Sequence, residues 1–517
     1  RKIRAFATVG LCTMLSRVLG FLRDILIAAF LGAGPVAEAF VIAFSLPNMF
    51  RRFFAEGAFN MAFVPMFSKK LEADDDAEGF AQDALTGLGV TLILFTLVAM
   101  IAMPWLVLAM ASGFAGDERF ELAVLYGRIA FPYILFISLA ALASGVLNAG
   151  RHFVAAAAAP VLLNVLFIGA LSLAYAMAWP PGLTLAWAVP LAGIAQLALV
   201  WTAARRAGFT LLPRRPRLTP ELRRLAVIAA PAALAGGVVQ VNLLVGRQVA
   251  SYFEGAAAWL YYADRLYQLP LGVVGIAIGI VLLPDLSRRL QAKDDEGGQH
   301  ALSRATEISL ALTLPAAVAL IVIPLPLVSV LFVRGAFTME DALPTALATA
   351  VYGLGLPAFV LQKVLQPLYF AREDTRSPFR YAVLAMVVNA ALAIGLAPLI
   401  GYVAAAIGAS VAGWAMTWFL WRGTRAMGLA AALDDQARTR APRILAASIA
   451  MGLVLFAVAW VTRDTMTLPG WRYLYLAGLV LLGIVTYAVA GRMTGAFTLG
   501  ELRSRLRRTS APTDKAQ

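Results

Sequence analysis

Long apolar runs recur from one end of the chain to the other, with only short polar stretches between them. Most of the runs contain about 20 residues or more, which is enough for a helix to cross a hydrocarbon core roughly 30 Å thick. Of the 517 residues, 61% are hydrophobic and 14% are charged, whereas soluble domains carry about 25% charged residues. The sequence therefore predicts an all-α polytopic membrane protein without a sizeable water-soluble domain.

The apolar runs divide into fourteen predicted transmembrane helices, which we number as spans 1 to 14 in chain order. Because the connections are short, successive spans are expected to cross the membrane in opposite directions. The predicted bounds are 5–32, 36–68, 81–111, 119–149, 155–177, 183–204, 222–252, 257–287, 301–331, 341–370, 378–399, 401–421, 442–462 and 471–493.

Lysine and arginine are distributed unevenly over the loops between these spans. The odd-numbered loops carry only Arg119, Arg334, Arg463 and Arg472. The even-numbered loops carry Lys69, Lys70, Arg151, Arg205 to Arg224, Arg288, Arg289, Lys293, Arg304, Arg372, Arg376, Arg380 and Arg422 to Arg443. Because loops rich in lysine and arginine stay in the cytoplasm, both termini are predicted to be cytoplasmic. The net charge of +14 is then a topology signal, and we expect no binding to nucleic acid.

Short similar segments recur along the chain at a nearly constant separation. Six identities, which begin with Ala192-Gly193 against Ala412-Gly413, share an offset of 220 residues. Pro65 corresponds to Pro284 at an offset of 219, and Asn164 to Asn389 at an offset of 225. These similar segments predict two parallel six-helix repeats, spans 1–6 and 7–12, around a central cavity.

The repeats also predict the domain organisation. Spans 13 and 14 have no counterpart in the repeats and are predicted to be an addition. We expect an N-terminal lobe over residues 1–210, a second lobe over 211–430, spans 13 and 14 over 431–497 and a basic cytoplasmic tail over 498–517.

Apart from residues at the predicted ends, which are counted with the loops, eight lysine and arginine residues lie inside predicted spans, where a charge near the helix centre costs about 2.5–3.5 kcal/mol on insertion. We expect three of them, Arg128, Arg247 and Lys363, to be held in local contacts or to reach the membrane interface. The other five lie on spans 1, 2 and 8 and are Arg17, Arg23, Arg51, Arg52 and Arg265.

These five arginines share their spans with four acidic residues, Asp24, Glu38, Glu56 and Asp264. The surplus of positive charge predicts a hydrated cationic cavity. Guanidinium groups bind phosphate oxygens through two parallel hydrogen bonds. The pattern therefore favours an anionic substrate that carries phosphate.

Other patterns of chemical interest are absent or have a simple explanation. Cys12 is the only cysteine, and His152 and His300 are the only histidines, so neither a disulfide nor a Cys/His metal site is expected. The acidic run Asp74-Asp75-Asp76 is expected to lie in a solvated loop. The sequence contains no Gly-rich phosphate-binding loop and no His-Glu-x-x-His motif, and we expect no cofactor and no ATP hydrolysis.

Several motifs on spans 1, 2 and 8 resemble those of one family. They are Ser16-Arg17-Val18-Leu19-Gly20-Phe21 with Arg23-Asp24, Leu46-Pro47-Asn48 with Arg51-Arg52, Phe54-Ala55-Glu56-Gly57-Ala58-Phe59, Ala62-Phe63-Val64-Pro65 and Tyr261-Tyr262-Ala263-Asp264-Arg265. With these motifs the chain resembles the MurJ (MviN) family of bacterial lipid II flippases over essentially its whole length. The resemblance implies the fold of the multidrug/oligosaccharidyl-lipid/polysaccharide exporter superfamily, in which spans 13 and 14 form a groove for the undecaprenyl tail.

The resemblance also implies the function. It implies a transporter, not an enzyme, that moves the undecaprenyl-pyrophosphate-linked peptidoglycan precursor across the bacterial inner membrane by alternating access. The expected partners are lipid II and membrane lipids, with the cell-wall synthesis machinery as a candidate, and the protein is expected to act as a monomer.

The functional arginines of the family carry over to this chain as residues that bind the pyrophosphate, namely Arg17, Arg23, Arg51 and Arg265. Residues expected to support them or to act in gating are Asp24, Glu38, Arg52, Glu56 and Asp264. The chain departs from the family pattern at Ser45 and Gln268, where lysine and glutamate are found in the family, and mildly at Glu38, where aspartate can occur.

Three alternative functions remain open from the residues. One is another polysaccharide-lipid flippase or a drug exporter of the same superfamily, although exporters of cationic drugs do not need a surplus of arginine. A second is a membrane glycosyltransferase, which needs a carboxylate that can act as a base. A third is a scaffold for the cell-wall machinery, for which buried arginines have no use.

Overall fold

The computed structural model describes residues 2–52, 58–278, 283–370, 372, 374–468, 470–498 and 500. In these ranges the chain is helical, with short connections and a single isolated bridge between Arg334 and Phe337. The α-helices are α1 (Lys2–Leu31), α2 (Pro35–Arg51), α3 (Ala58–Glu72), α4 (Ala77–Ile101), α5 (Met103–Ala111), α6 (Glu118–Ala130), α7 (Tyr133–Ala149), α8 (Val154–Met177), α9 (Pro181–Arg206), α10 (Pro220–Ser251), α11 (Ala256–Ala277), α12 (Leu283–Gln291), α13 (Asp295–Val322), α14 (Pro324–Phe332), α15 (Met339–Phe370), α16 (Arg376–Ile400), α17 (Val403–Gly423), α18 (Asp435–Val461) and α19 (Arg472–Thr494).

The helices confirm the prediction of an all-α polytopic membrane protein. Among the described residues, ten helical segments are long and apolar enough to cross a membrane, and they correspond to spans 3–6 and 9–14. The two parts of α10, separated by a bend of 49°, make an eleventh segment if they are counted together. Spans 1, 2 and 8 correspond to α1, α2 with α3, and α11 with α12, which carry the candidate arginines. The count of fourteen spans stays a prediction.

Aspartate side chains begin several of these helices. Asp76, from the acidic run expected in a solvated loop, caps α4 by accepting a hydrogen bond from the Gly79 N–H. Asp434 caps α18 in the same way. This cap starts the helix seven residues before the predicted start of span 13, because a capped N-terminal turn tolerates the polar residues that precede the apolar run.

The described chain divides into two compact units. The first comprises Arg1–Arg265, Phe332–Pro344 and Asn389–Ala405, and the second comprises Leu266–Leu331, Thr345–Val388 and Ala406–Gln517. These boundaries differ from the predicted lobe boundary at residue 210, because α10 and the first part of α11 belong to the first unit. The division into lobes stays a prediction, and the tail beyond residue 500 lies outside the described residues.

In the first unit, equivalent asparagines make similar contacts in the two predicted repeats. Asn164 on α8 donates a hydrogen bond to the Ser16 carbonyl on α1, and Asn389 on α16 donates to the Asn242 carbonyl on α10. Both amides are buried. The donors are 225 residues apart and the acceptors 226, so the fifth span of each repeat contacts the first span at corresponding positions. This agrees with two parallel repeats.

In the second unit, α18 packs against both α13 and α19 around the buried residues Ile323, Met451, Leu455 and Leu479. The helices approach closely where Gly452 on α18 meets Val318, since a Cβ on this glycine would clash. At another level of the same contact, Arg304 on α13 donates to Asp434 at 2.5 Å. Span 13 is therefore packed on span 9, and span 14 is packed on span 13.

Candidate functional site

Arg23 on α1 is held in a buried set of polar contacts. Its exposed fraction is 8%. Nη1 donates to Asn164 Oδ1 at 2.9 Å, and Nη2 donates to Asp24 Oδ1 at 3.3 Å. The guanidinium also lies over the Phe167 ring, 5.7 Å from its centroid. Because Asn164 on α8 also donates to the Ser16 carbonyl, its amide joins α8 to two residues of α1.

Asp24 is a counter-ion shared by arginines of two helices. The residue is 2% exposed, and its Oδ1 accepts a hydrogen bond of 2.7 Å from the Tyr261 hydroxyl on α11. Its Oδ2 lies 3.8 Å from Arg265 Nε. The Arg265 guanidinium lies over the Tyr261 ring at 4.6 Å. Residues 237 positions apart in sequence are thus brought into one polar cluster.

A cavity of about 200 Å³ opens beside this cluster. Among the described residues, the cavity wall contains five arginines and no carboxylate. Its polar lining residues are Arg23, Ser45, Asn48, Arg51, Arg52, Gln240, Arg247, Tyr261 and Arg265. We call this the arginine cavity.

The structure brings most of the predicted pyrophosphate-binding residues to the arginine cavity. Arg23, Arg51 and Arg265 line it, together with Arg52. Arg17 is exposed and is not among the described residues of the wall, because it lies nearly two turns before Arg23 on α1.

The predicted supporting acids lie in different places. Asp24 contacts the cavity arginines, as described above. Asp264 Oδ2 is 4.0 Å from Arg265 Nη2, and its side chain is 28% exposed. Glu56 lies outside the described residues. Glu38 lies at a second cavity and contacts an arginine that was predicted to lie in a loop.

That second cavity has a volume of about 390 Å³ and is lined by acidic residues. Its wall includes Glu38 and Arg119 and two turns of the first unit, namely residues 33–34 between α1 and α2 and residues 254–255 between α10 and α11. We call this side of the first unit the turn end. The other acidic lining residues are Asp117, Glu118, Glu254 and Asp341.

Arg119 is buried at the start of α6, with an exposed fraction of 4%. Its Nη1 lies 3.3 Å from Glu38 Oε1, and its Nε donates to Asp117 Oδ2 at 2.8 Å. Hydrogen bonds from the Arg119 backbone N–H and side chain lower the pKa of Asp117. Asp117 and Glu118, next to Arg119 in sequence, are the signal available for this network, but Arg119 stands at the predicted start of span 4 and is counted with the loop in the sequence analysis.

A polar clamp joins α10 to the end of α5 near the turn end. Gln248 Oε1 accepts hydrogen bonds from the Ser112 N–H at 3.0 Å and from the Ser112 hydroxyl at 2.7 Å. The Gln248 amide donates to the carbonyls of Leu108 and Ala109. Ser251 Oγ accepts from the Gly113 N–H at 3.0 Å. We call these contacts the α5–α10 clamp.

Further contacts at the turn end connect residues of the two predicted repeats. The Tyr262 hydroxyl donates to the Gly32 carbonyl at 2.6 Å. The Ala336 N–H donates to the Ala29 carbonyl at 2.8 Å. Together with the α5–α10 clamp, these bonds hold the turn end of the first unit together.

The sequence did not identify three residues of the site. Asn164 had a signal, since it is a polar residue in an apolar span, but its partner Arg23 could not be chosen from sequence. Arg247, expected to be held locally or at the interface, lines the arginine cavity. Gln248 follows it on α10 and forms the clamp.

The chemistry of the arginine cavity suits an anion with several oxygen atoms. Guanidinium groups from α1, α2, α10 and α11 converge on one small volume. Such groups bind phosphate and carboxylate through paired charge-assisted hydrogen bonds. Among the described residues, no group of three or more His, Cys, Asp or Glu could hold a metal ion.

Comparisons with known proteins agree on one family. A family model described as "Lipid II flippase MurJ" matches residues 27–481. A probable lipid II flippase MurJ of Rhizobium tropici is 42% identical over 528 residues, which covers 100% of this chain and 98% of the relative. A protein of the same description from Rhizobium meliloti (strain 1021) is 43% identical over 521 residues, with 98% and 96% covered.

Solved structures share the fold. One described as "Lipid II flippase MurJ, inward closed conformation" has a TM-score of 0.80 at 24% identity, covering 94% of this chain and 98% of that chain. A multidrug resistance MATE family transporter of the MOP superfamily in an inward-facing conformation has a TM-score of 0.70 at 17% identity, covering 82% and 98%.

Proposed function

The chain belongs to the MurJ family of lipid II flippases, and from this membership we propose that it moves lipid II from the inner to the outer leaflet of the inner membrane by alternating access. It is a multi-pass membrane transporter. In our proposal no covalent bond of the lipid is made or broken, and both termini of the protein are cytoplasmic, as the distribution of lysine and arginine predicts.

The arginine cavity is the observation that carries the proposal. A pyrophosphate that leaves water loses its hydration, and this loss must be offset by fixed positive groups. Arg23, Arg51 and Arg265 supply such groups from three helices, with Arg52 beside them. We assign these four residues to pyrophosphate binding. Arg17, which is exposed on α1, is proposed to meet the headgroup before it enters the cavity.

Asp24 neutralises part of the positive charge of this binding site when no substrate is bound. Its carboxylate lies against both Arg23 and Arg265, so the two cations have a buried counter-ion when no anion is present. When pyrophosphate binds, its oxygens compete with Asp24 for the same guanidinium groups. When pyrophosphate leaves, the carboxylate restores the pairing, which favours release.

The contacts at the turn end support an alternating-access cycle. The α5–α10 clamp and the Tyr262–Gly32 bond join residues of the two predicted lobes. We propose that this end faces the outside, that these bonds keep it closed while lipid II enters, and that they break when the lobes rock. The glutamate–arginine pair of Glu38 and Arg119 is proposed to keep the neighbouring turn in place.

The undecaprenyl tail is proposed to stay in lipid along α18 and α19. These helices correspond to the predicted addition of spans 13 and 14, and they expose large apolar side chains over much of their length. The exposed residues include Leu453, Phe456, Trp460, Leu481, Ile484 and Val485.

The test is the exposure of lipid II at the outer face of cells that depend on this protein. Arg23→Ala and Arg265→Ala are each expected to reduce exposure by about tenfold or more, since each removes a charge-assisted contact with phosphate. Arg128→Ala is the matched control, because Arg128 lies in a helix but is exposed and donates to the Met100 carbonyl. Normal exposure at normal protein level in the two cavity variants would contradict the pyrophosphate role.

A drug exporter with the same fold is the second candidate, supported by the likeness to the MATE transporter. That likeness concerns the fold alone, and five arginines in the cavity wall oppose an organic cation. Purified protein is expected to bind lipid II and not an organic cation such as ethidium. The reverse preference would favour the exporter.

A further inference from the structure

One face of α10 lines the arginine cavity with residues that the proposed pyrophosphate site does not use. Gln240, Leu243 and Arg247 all belong to the cavity wall. Their spacing of three and seven residues places them on one side of the helix, and seven residues correspond to roughly 10.5 Å along its axis. We call these three residues the α10 face.

Arg247 lies at a different level from the pyrophosphate-binding arginines. It is four residues before the end of α10 at Ser251, or roughly 6 Å along the axis. Arg23 is eight residues before the end of α1 at Leu31, or roughly 12 Å. The turns that follow both helices line the same second cavity, and we therefore take the two helix ends as one common level.

The depth of Arg265 below the turn end agrees with that of Arg23. It lies nine residues after the start of α11 at Ala256, or roughly 13.5 Å from the turn end. That depth agrees with its contact with Asp24 next to Arg23. Arg247 is therefore nearer to the turn end than Arg23 by roughly 6 Å along the helix axis.

Gln240 provides a buried polar atom on the same face. Its side chain is 7% exposed, and its Oε1 has no hydrogen-bond partner among the described residues. Leaving a buried acceptor without a donor costs free energy. Because the residue lines the cavity, a hydroxyl or amide N–H of a ligand can supply the missing donor.

The α5–α10 clamp fixes the position of Arg247. Its neighbour Gln248 makes hydrogen bonds to the main chain and side chain of residues 108–112. A helix held at this point presents the preceding side chain in a defined direction. Groups that are positioned before a ligand binds lose less entropy on binding.

From these observations we propose that the α10 face is a second subsite, which binds the sugar-peptide part of the headgroup while Arg23 and Arg265 hold the pyrophosphate. In this subsite Arg247 binds a carboxylate of the peptide, and Gln240 accepts a hydrogen bond from a sugar hydroxyl or an amide N–H. The inference rests on the proposed function, since it assumes a lipid-linked headgroup with these chemical groups.

The experiment compares two ligands of the purified full-length protein, lipid II and undecaprenyl pyrophosphate, which lacks the sugars and the peptide. Arg247→Ala is expected to weaken binding of lipid II by about tenfold and binding of undecaprenyl pyrophosphate by less than about twofold. Gln240→Leu, which keeps the volume and removes the acceptor, is expected to show the same selectivity with a loss of about threefold to fivefold.

Three further variants complete the design. Arg265→Ala is expected to weaken binding of both ligands, and Arg128→Ala of neither. Arg247→Lys keeps the charge but loses the paired geometry, and is expected to lose a few-fold in affinity for lipid II alone. It gives a result even if Arg247→Ala does not fold.

Equal losses for both ligands in the α10 variants, or unchanged binding of lipid II, would overturn the inference and leave the proposed function intact. A wild-type protein that binds neither ligand would overturn the proposed function itself.

Discussion

Replacing Asp24 by asparagine removes one negative charge from the centre of the arginine cluster and changes its shape very little. The carboxylate lies 3.3 Å from Arg23 Nη2 and 3.8 Å from Arg265 Nε. The side chain of Arg23 is 10% exposed and that of Asp24 is 3% exposed, so this pair is shielded from water. Breaking a buried pair by removing one partner costs about 3–5 kcal/mol. The pair with Arg265 adds less, because that side chain is 33% exposed.

We expect Asp24→Asn to lower the free energy of unfolding by about 3 kcal/mol, the lower end of that range, because the asparagine can still accept from Tyr261. Binding should change in the opposite direction. A phosphate charge on the far side of a guanidinium lies roughly 7 Å from Asp24, where repulsion amounts to about 2 kcal/mol at an effective dielectric constant near 20. Removing that repulsion should tighten binding of lipid II by roughly thirtyfold.

Transport should nevertheless fall, because the carboxylate that displaces the pyrophosphate is gone and release becomes slow. Three measurements check the prediction, namely unfolding by denaturant in detergent, titration of the purified protein with lipid II, and exposure of lipid II in cells. The variant should be less stable, bind more tightly and transport more slowly.

Asn164→Leu is the matched control for this prediction. It also removes a buried hydrogen bond to Arg23, at a cost of about 1.5–3 kcal/mol, but it leaves the charges unchanged. Binding of lipid II should weaken in this variant, because Arg23 is no longer held in place. If Asp24→Asn also weakened binding, Asp24 would be an orienting residue and the competition with pyrophosphate would be refuted.

Two further predictions concern the turn end. Gln248→Leu removes the acceptor of the Ser112 N–H, so the Ser112 amide should exchange with solvent at least about tenfold faster in hydrogen-exchange measurements, a loss of local stability of about 1.4 kcal/mol; an unchanged rate would show that the clamp does not hold α5. Glu38→Gln removes the charge that faces the buried Arg119, so the free energy of unfolding should fall by about 3 kcal/mol. Glu118→Gln, at an exposed position of the same cavity, should change it by less than about 0.5 kcal/mol, and equal effects of the two substitutions would contradict the assignment of the pair.

The sequence was a sufficient guide to the helices because the bilayer imposes a length on each span. Helices such as α8 and α9 begin and end within two residues of the predicted bounds. The starts that differ more, such as that of α18, depend on a capped turn outside the membrane, where no such length applies. Several breaks inside predicted spans lie next to proline, as between α6 and α7 at Pro132.

The candidate site was predictable to the extent that charge reveals it. Arg23, Arg51 and Arg265 were identified because a charged side chain in an apolar span is costly to insert into the membrane and therefore indicates a functional site. Arg247 was not, since it is alone on its span and a helix that is apolar on all sides does not indicate which side faces a cavity. Asn164 and Gln248 could be recognised as polar, but the choice of their partners depends on how helices from distant parts of the chain pack.

The two cavities of the first unit have linings of opposite charge, and this bears on the direction of transport in the proposed mechanism. The arginine cavity attracts an anion, whereas the second cavity at the turn end is lined by five acidic residues with Arg119 as its only basic lining residue among those described. An anion held by Arg23 and Arg265 therefore meets repulsion towards the closed turn end. Opening of that end separates the two turns, moves their acidic residues apart and admits water, which screens them. The repulsion is thus strongest while the end is closed, and it weakens in the step that lets the headgroup leave.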